Sequence, residues 1–254
     1  MTKQTIIFDL DDTLIHCNKY FNMIISQFAD QMEMWFRGYG VTEKQIRDMQ
    51  QELDVAMVEI HGFTLEHFPQ SFIDTYLHYC HITGHPEKQE EKDFLYKLGS
   101  SVYDQEFEAF PHMMETLQTL KDQGHLLCLY TGGVQAVQQK KVDKLQLASF
   151  FEDRIFIAQH KTVDVLERIL VEHQYDRKHT WMIGNSIRTD IVPALQSGIH
   201  AIFIPALEEW QYNNVEIHVT PQGAFLTLKD LTEVPDAIRK YHGTTGPVQG
   251  AVSS

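Results

Sequence analysis

The 254-residue chain is 43% hydrophobic and carries a formal net charge of −14, which suits one large domain or a core with a smaller insert. This acidity leaves no electrostatic footprint for nucleic acid or an anionic membrane, so an anionic substrate must be drawn in locally, by a metal or a few lysines. Three cysteines, Cys17, Cys80 and Cys128, show no Cys-x-x-Cys spacing and suggest neither a disulfide framework nor a thiolate zinc site.

No signal-like segment opens the chain and no apolar run approaches membrane-spanning length, so a soluble cytoplasmic protein is expected. Residues 4–9 read as a strand buried on both faces, an apolar run that stops abruptly in Asp9, Asp11 and Asp12. Carboxylates at such a strand end are costly to bury unless something positive pairs with them. Their ordinary place is a metal or catalytic site at the carboxyl edge of a parallel sheet.

From 18 to 104 helical spacing takes over. Phe21, Ile24, Ile25, Phe28 and Met32 mark one helix face. Thr42 and Gln45 predict a capping box for a second helix running to His61, with Gly62 as its stop. A third helix is expected over 65–81, with Pro69 near its start, and a fourth over 87–102. Phe21, Phe28, Trp35, Phe36, Phe72 and Tyr76 are read as the core of this all-α insert, and the acids of 87–93 as a solvated helix start. His78 and His81 have ligand spacing but no acidic partner beside them, and are read as ordinary histidines.

Beyond 110 strands and helices alternate. Strands are expected at 125–131, 154–158, 180–184 and 199–204, with helices at 111–123, 135–145, 161–172 and 189–196. This alternation argues an α/β parallel sheet with helices on both faces. A small edge strand is expected at 215–220, a last helix at 234–241, and a flexible tail over 242–254.

Loops leaving the carboxyl ends of these strands meet at one edge. They carry Asp9-Leu10-Asp11-Asp12-Thr13, Thr131-Gly132-Gly133, Gln159-His160-Lys161, and Gly184-Asn185-Ser186 with Asp190. Asp9 and Asp11 are two residues apart, and two neighbouring carboxylates do not both stay ionised without compensation. A divalent oxygen-loving cation resolves this, with Asn185 and Asp190 as further oxygen ligands, and few ligands with open positions suit Mg²⁺. Thr131 and the glycines offer a hydroxyl and backbone N–H groups to an anion, and Lys161 one fixed positive charge. Asp12 and Thr13 are read as loop-fixing residues.

These four segments resemble, in order, the motifs of the haloacid dehalogenase (HAD) superfamily, over residues 5–204. The resemblance implies a Rossmann-like core over 1–16 and 106–241, with the all-α insert at 17–105 as a C1-type cap domain. It implies Asp9 as nucleophile, forming an aspartyl-phosphate, and Asp11 as the group that protonates the leaving oxygen and then activates water. Thr131 and Gly132 would hold phosphoryl oxygens, and Lys161 would bridge nucleophile and phosphate. Asp9, the backbone carbonyl of Asp11, Asn185 and Asp190 would bind Mg²⁺. Asn185 stands where the family usually has Asp; its amide oxygen binds a cation but adds no charge. Thr162 stands where many relatives have Pro. Lys19, just past the first motif, is a candidate for a second anionic group of the substrate.

The expectation is a Mg²⁺-dependent phosphatase of small phosphorylated metabolites. Its rivals are a phosphomutase or phosphotransferase, a 2-haloacid dehalogenase, against which Asp11 argues, and a non-catalytic regulatory module supported only by Asn185. No motif in the insert specifies a substrate or an oligomeric state.

Overall fold

The computed structural model describes residues 2–243. Cys17–Glu106 form one compact unit, and the residues on either side of that segment form the other. Among the described residues no helix is long and apolar enough to cross a membrane.

The second of these units is a six-stranded, all-parallel sheet in the order β3-β2-β1-β4-β5-β6. Its strands are β1 (Thr5–Phe8), β2 (Leu126–Gly132), β3 (Ile155–Ala158), β4 (Thr180–Gly184), β5 (His200–Phe203) and β6 (Phe225–Thr227). Alternate residues feed two separate cores. Ile6, Phe8, Leu127, Leu129 and Ile183 pack on one face, while Ile7, Cys128, Tyr130 and Met182 pack on the other. Both faces are covered by helices, which is why the strands read as continuous apolar runs. The order reverses around β1, so the loops after β1, β2 and β4 open at the switch point where such sheets bind ligands.

The helical unit holds α1 (Asn18–Phe36), α2 (Glu43–His61), α3 (His67–Thr83) and α4 (Gln89–Ser100). Thr42 and Gln45 make both hydrogen bonds of the predicted capping box, and Gly62 ends α2. The aromatic set packs as a core, with Phe28 and Phe72 stacked at a centroid distance of 4.1 Å. One acid of the expected solvated helix start departs from that reading. Glu91 is buried and accepts hydrogen bonds from Tyr76 Oη at 2.6 Å and Lys88 Nζ at 2.8 Å, tying α3 to α4.

The remaining helices are α5 (Met113–Asp122), α6 (Gln135–Lys144), α7 (Ala148–Phe151), α8 (Val163–Glu172), α9 (Val192–Gln196) and α10 (Val234–Gly243). Three details depart from expectation. Residues 215–220 form no strand; the edge strand is Phe225–Thr227, although Ile217 and Val219 still pack on the sheet. The helix expected from 189 begins as a π-helical turn, Ile187–Ile191, just before α9. Pro193 at the start of α9 has no N–H to give the carbonyl four residues back, which favours that wider turn. Of the expected tail, residues 242 and 243 finish α10, and 244–254 lie outside the described residues.

Asp54 on α2 is buried, and no cation pairs with it among the described residues. Burial pushes its carboxyl from 3.8 up to about 7. The folded chain then keeps this proton through a pH range where the unfolded chain has lost it. Stability should therefore fall as pH rises from about 4 to about 7, at ~1.4 kcal/mol per pH unit at most. Asp54→Asn is expected to raise the melting temperature at pH 8 and to lose that advantage near pH 4. Parallel melting profiles for the two proteins across this range would contradict the assignment.

Candidate active site

The site begins where β1 ends. Asp9 N–H still donates to Ile183 O at 2.9 Å, so the residue leaves the sheet with its backbone fixed by β4. The chain then turns tightly. Leu14 and Ile15 N–H both donate to Leu10 O, Asp12 N–H donates to Ile15 O, and Asp12 sits in the left-handed region at φ 57°. This loop also brings Thr13 back to the strand end. Its hydroxyl lies 3.0 Å from Asp9 Oδ2 and 3.3 Å from Asn185 Oδ1. One hydroxyl hydrogen serves one acceptor at a time, so two oxygens converge on the same point.

Asp9, Lys161 and Asp190 are all buried. Lys161 Nζ donates to Asp9 Oδ1 at 2.8 Å and also pairs with Asp190 Oδ1, and it stands 5.0 Å over the Tyr130 ring. Burial pushes the Asp9 carboxyl up to about 7 against the pull of Lys161, with Asp190 adding to the rise. Burial opposes charge on Lys161 as well, but the attraction of Asp190 and Asp9 outweighs it and holds the ammonium protonated.

Lys161 precedes α8 rather than lying in its first turn. Thr162 is the N-cap, accepting from Val165 N–H, and so starts the helix. Asp190 lies in the π-helical turn after β4, and Ser186 N–H donates to its Oδ2 at 2.9 Å. Gly184 makes room for this carboxylate: a Cβ there would stand 2.2 Å from Asp190 Oδ2. Both Asp190 oxygens are thus engaged by Lys161 and Ser186. The carboxylate therefore orients the lysine.

Asp11 has its own counter-charge, which the sequence reading missed. Lys141 Nζ on α6 lies 2.7 and 2.8 Å from its two oxygens, and Gln138 Nε2 donates to Oδ2 at 2.9 Å. The same Gln138 amide donates to Thr131 Oγ1 at 2.6 Å. The mutual repulsion expected of Asp9 and Asp11 is therefore relieved by two separate lysines. Counting Asp190, three carboxyl groups face two ammonium groups here.

Thr131 is buried near the end of β2, which Gly132 closes, but Gly133 differs from expectation. Gly133 N–H is committed to Ala158 O at 2.9 Å, so it is not an anion donor. Its place is conformational, with φ 141° and Gln138 packed where a Cβ would come within 3.0 Å. Lys19 belongs to the helical unit, with its ammonium 4.9 Å over the Tyr20 ring. The missed pair had one visible signal, a Gln and a Lys three residues apart on the helix that leaves the Thr131 loop.

A cation has an oxygen-only set available here. Asp9 and Asn185 oxygens already converge on Thr13, and the Asp11 main-chain carbonyl lies two residues from Asp9. No group of three or more His, Cys, Asp or Glu side chains forms a metal cluster among the described residues. Two side-chain oxygens and one main-chain carbonyl are a donor set of the kind Mg²⁺ takes, with water or phosphate at its other positions.

Comparison with known proteins agrees with the fold. A curated relative, the glyceraldehyde 3-phosphate phosphatase of Methanothermobacter thermautotrophicus, is 26% identical over 136 residues, 50% of this chain and 60% of that protein. The chain thus matches less than two thirds of that relative's length. A haloacid dehalogenase-like family hydrolase from Xanthomonas campestris superposes with a TM-score of 0.75 at 22% identity, over 95% of this chain and 92% of that one. The HAD-hydrolase YfnB from Bacillus subtilis, solved bound to magnesium, superposes with a TM-score of 0.63 at 19% identity, over 94% and 99% of the two chains. These likenesses show the fold. The model of the haloacid dehalogenase-like hydrolase family matches residues 6–204, and the chain belongs to that family.

Proposed function

We propose that this hydrolase is a Mg²⁺-dependent phosphatase of small phosphorylated metabolites, working through an aspartyl-phosphate on Asp9. The observation that carries the reading is the buried Asp9–Lys161 contact of 2.8 Å at the end of the central strand, with Asp11 two residues on. The phosphatase name of the curated relative supports a phosphorylated small molecule as substrate.

An Asp9 oxygen bonds to phosphorus as the ester P–O bond breaks, and Asp11, entering this step in its protonated form, gives that proton to the departing oxygen. Asp11 then takes a proton from water, whose oxygen bonds phosphorus as the Asp9–phosphorus bond breaks. Inorganic phosphate leaves and Asp9 returns as a carboxylate. Lys161 holds Asp9 in line and offsets charge on the phosphoryl oxygens, and the Thr131 hydroxyl and Gly132 N–H hold those oxygens. Asp9, Asn185 and the Asp11 carbonyl would hold Mg²⁺, which when bound neutralises phosphate charge. Asp190 keeps Lys161 in place.

The helical unit is read as a C1-type cap, supported by its insertion between the first-motif loop and the second strand. Lys19 is read as its contact for a second anionic group.

Asp9→Asn is expected to lower phosphate release from p-nitrophenyl phosphate by on the order of 10⁴-fold or more. Chelation should abolish release from the unaltered chain, and Mg²⁺ should restore it; activity indifferent to chelation would sink the metal assignment. Asn185→Asp adds a charged ligand and is expected to lower the half-saturating Mg²⁺ concentration by roughly an order of magnitude. A Mg²⁺ titration that is unchanged, or shifted to higher concentration, would remove Asn185 from the cation site.

A further inference from the structure

Asp11 is anchored from its buried side only. The side chain of Lys141 is 4% exposed, whereas that of Asp11 keeps 26% of its surface open. Contacts of 2.7 and 2.8 Å from one ammonium to both oxygens fix the plane of the carboxylate, and the 2.9 Å bond from Gln138 fixes its rotation. The Lys141 ammonium is itself held 4.6 Å over the Phe107 ring. The Gln138 amide nitrogen spends its two hydrogens on Asp11 Oδ2 and Thr131 Oγ1. Because Thr131 Oγ1 accepts that bond, its own hydrogen is left to donate elsewhere.

We propose that Lys141 and Gln138 are positioning residues for the hydrolytic half of the reaction. They hold the Asp11 carboxylate by its buried side so that its open side receives the attacking water, and Gln138 turns the Thr131 hydroxyl hydrogen toward the phosphoryl group. In that half-reaction a water O–H proton passes to Asp11, the water oxygen bonds phosphorus, and the electron pair of the breaking bond returns to Asp9. The inference rests on the phosphatase reading and adds two side chains that touch neither the substrate nor the cation.

The test is rapid-mixing kinetics with p-nitrophenyl phosphate, whose leaving group departs without needing a proton. Lys141→Met should leave loading of Asp9 intact and slow only the release of phosphate. It is expected to show a burst of p-nitrophenolate of about one equivalent per active site, then a steady-state rate about 10–100-fold below the unaltered chain. KM should not rise, and Lys141→Arg should recover much of the rate. In an Asp11→Asn background, Lys141→Met should cause little further loss. Gln138→Met is expected to raise KM as well as lower kcat, because Thr131 loses its orientation. A Lys141→Met protein with unchanged turnover, or with slow turnover and no burst, would overturn the positioning role. So would an equal further loss in the Asp11→Asn background. If the unaltered chain releases phosphate while these outcomes fail, the phosphatase reading stands alone; if it releases none, both fall.

Discussion

The active-site end of the sheet is organised by one buried ammonium between two buried carboxylates. Lys161 sits 2.8 Å from Asp9 and pairs also with Asp190, with all three side chains withdrawn from water. Such charges are costly to desolvate, and removing one partner of a buried pair typically costs about 3–5 kcal/mol because the other is left uncompensated. The arrangement is tolerated because nearly every acceptor is used. Asp9 Oδ2 receives the Thr13 hydroxyl, and Asp190 Oδ2 receives the Ser186 N–H.

Several backbone irregularities serve this pair. The left-handed Asp12 folds the first loop so that Thr13 reaches back to Asp9. Thr162 starts α8 one residue after Lys161, leaving that lysine on the loop and free to reach the sheet. Gly184 and the π-helical turn that follows let Asp190 lie against the end of β4. Each is a local departure from regular structure, and each is where a functional side chain is aimed.

The order of elements and the four loops were legible because the strands are apolar runs that end in polar residues. The capping box at Thr42 and the stop at Gly62 were legible because their chemistry is local. Lys141 and Gln138 were not, since α6 reads as a polar helix and their burial comes from Asp11, 130 and 127 residues away. The engagement of Asp190 with Lys161 is likewise a long-range pairing. The edge strand was misplaced because Val215, Ile217 and Val219 alternate as a strand would. Ile217 and Val219 do pack against the sheet, but alternation reports a buried face and not a ladder partner.

The central claim is that Asp9 becomes phosphorylated. The direct measurement is acid quench within the first turnover of p-nitrophenyl phosphate, followed by borohydride reduction and peptide mass spectrometry. An acyl phosphate is reduced to the alcohol, so the account predicts homoserine in place of Asp9, dependent on substrate and absent in Asp9→Asn. Reduction at another carboxylate, or turnover with no reducible carboxylate at any time point, would contradict it.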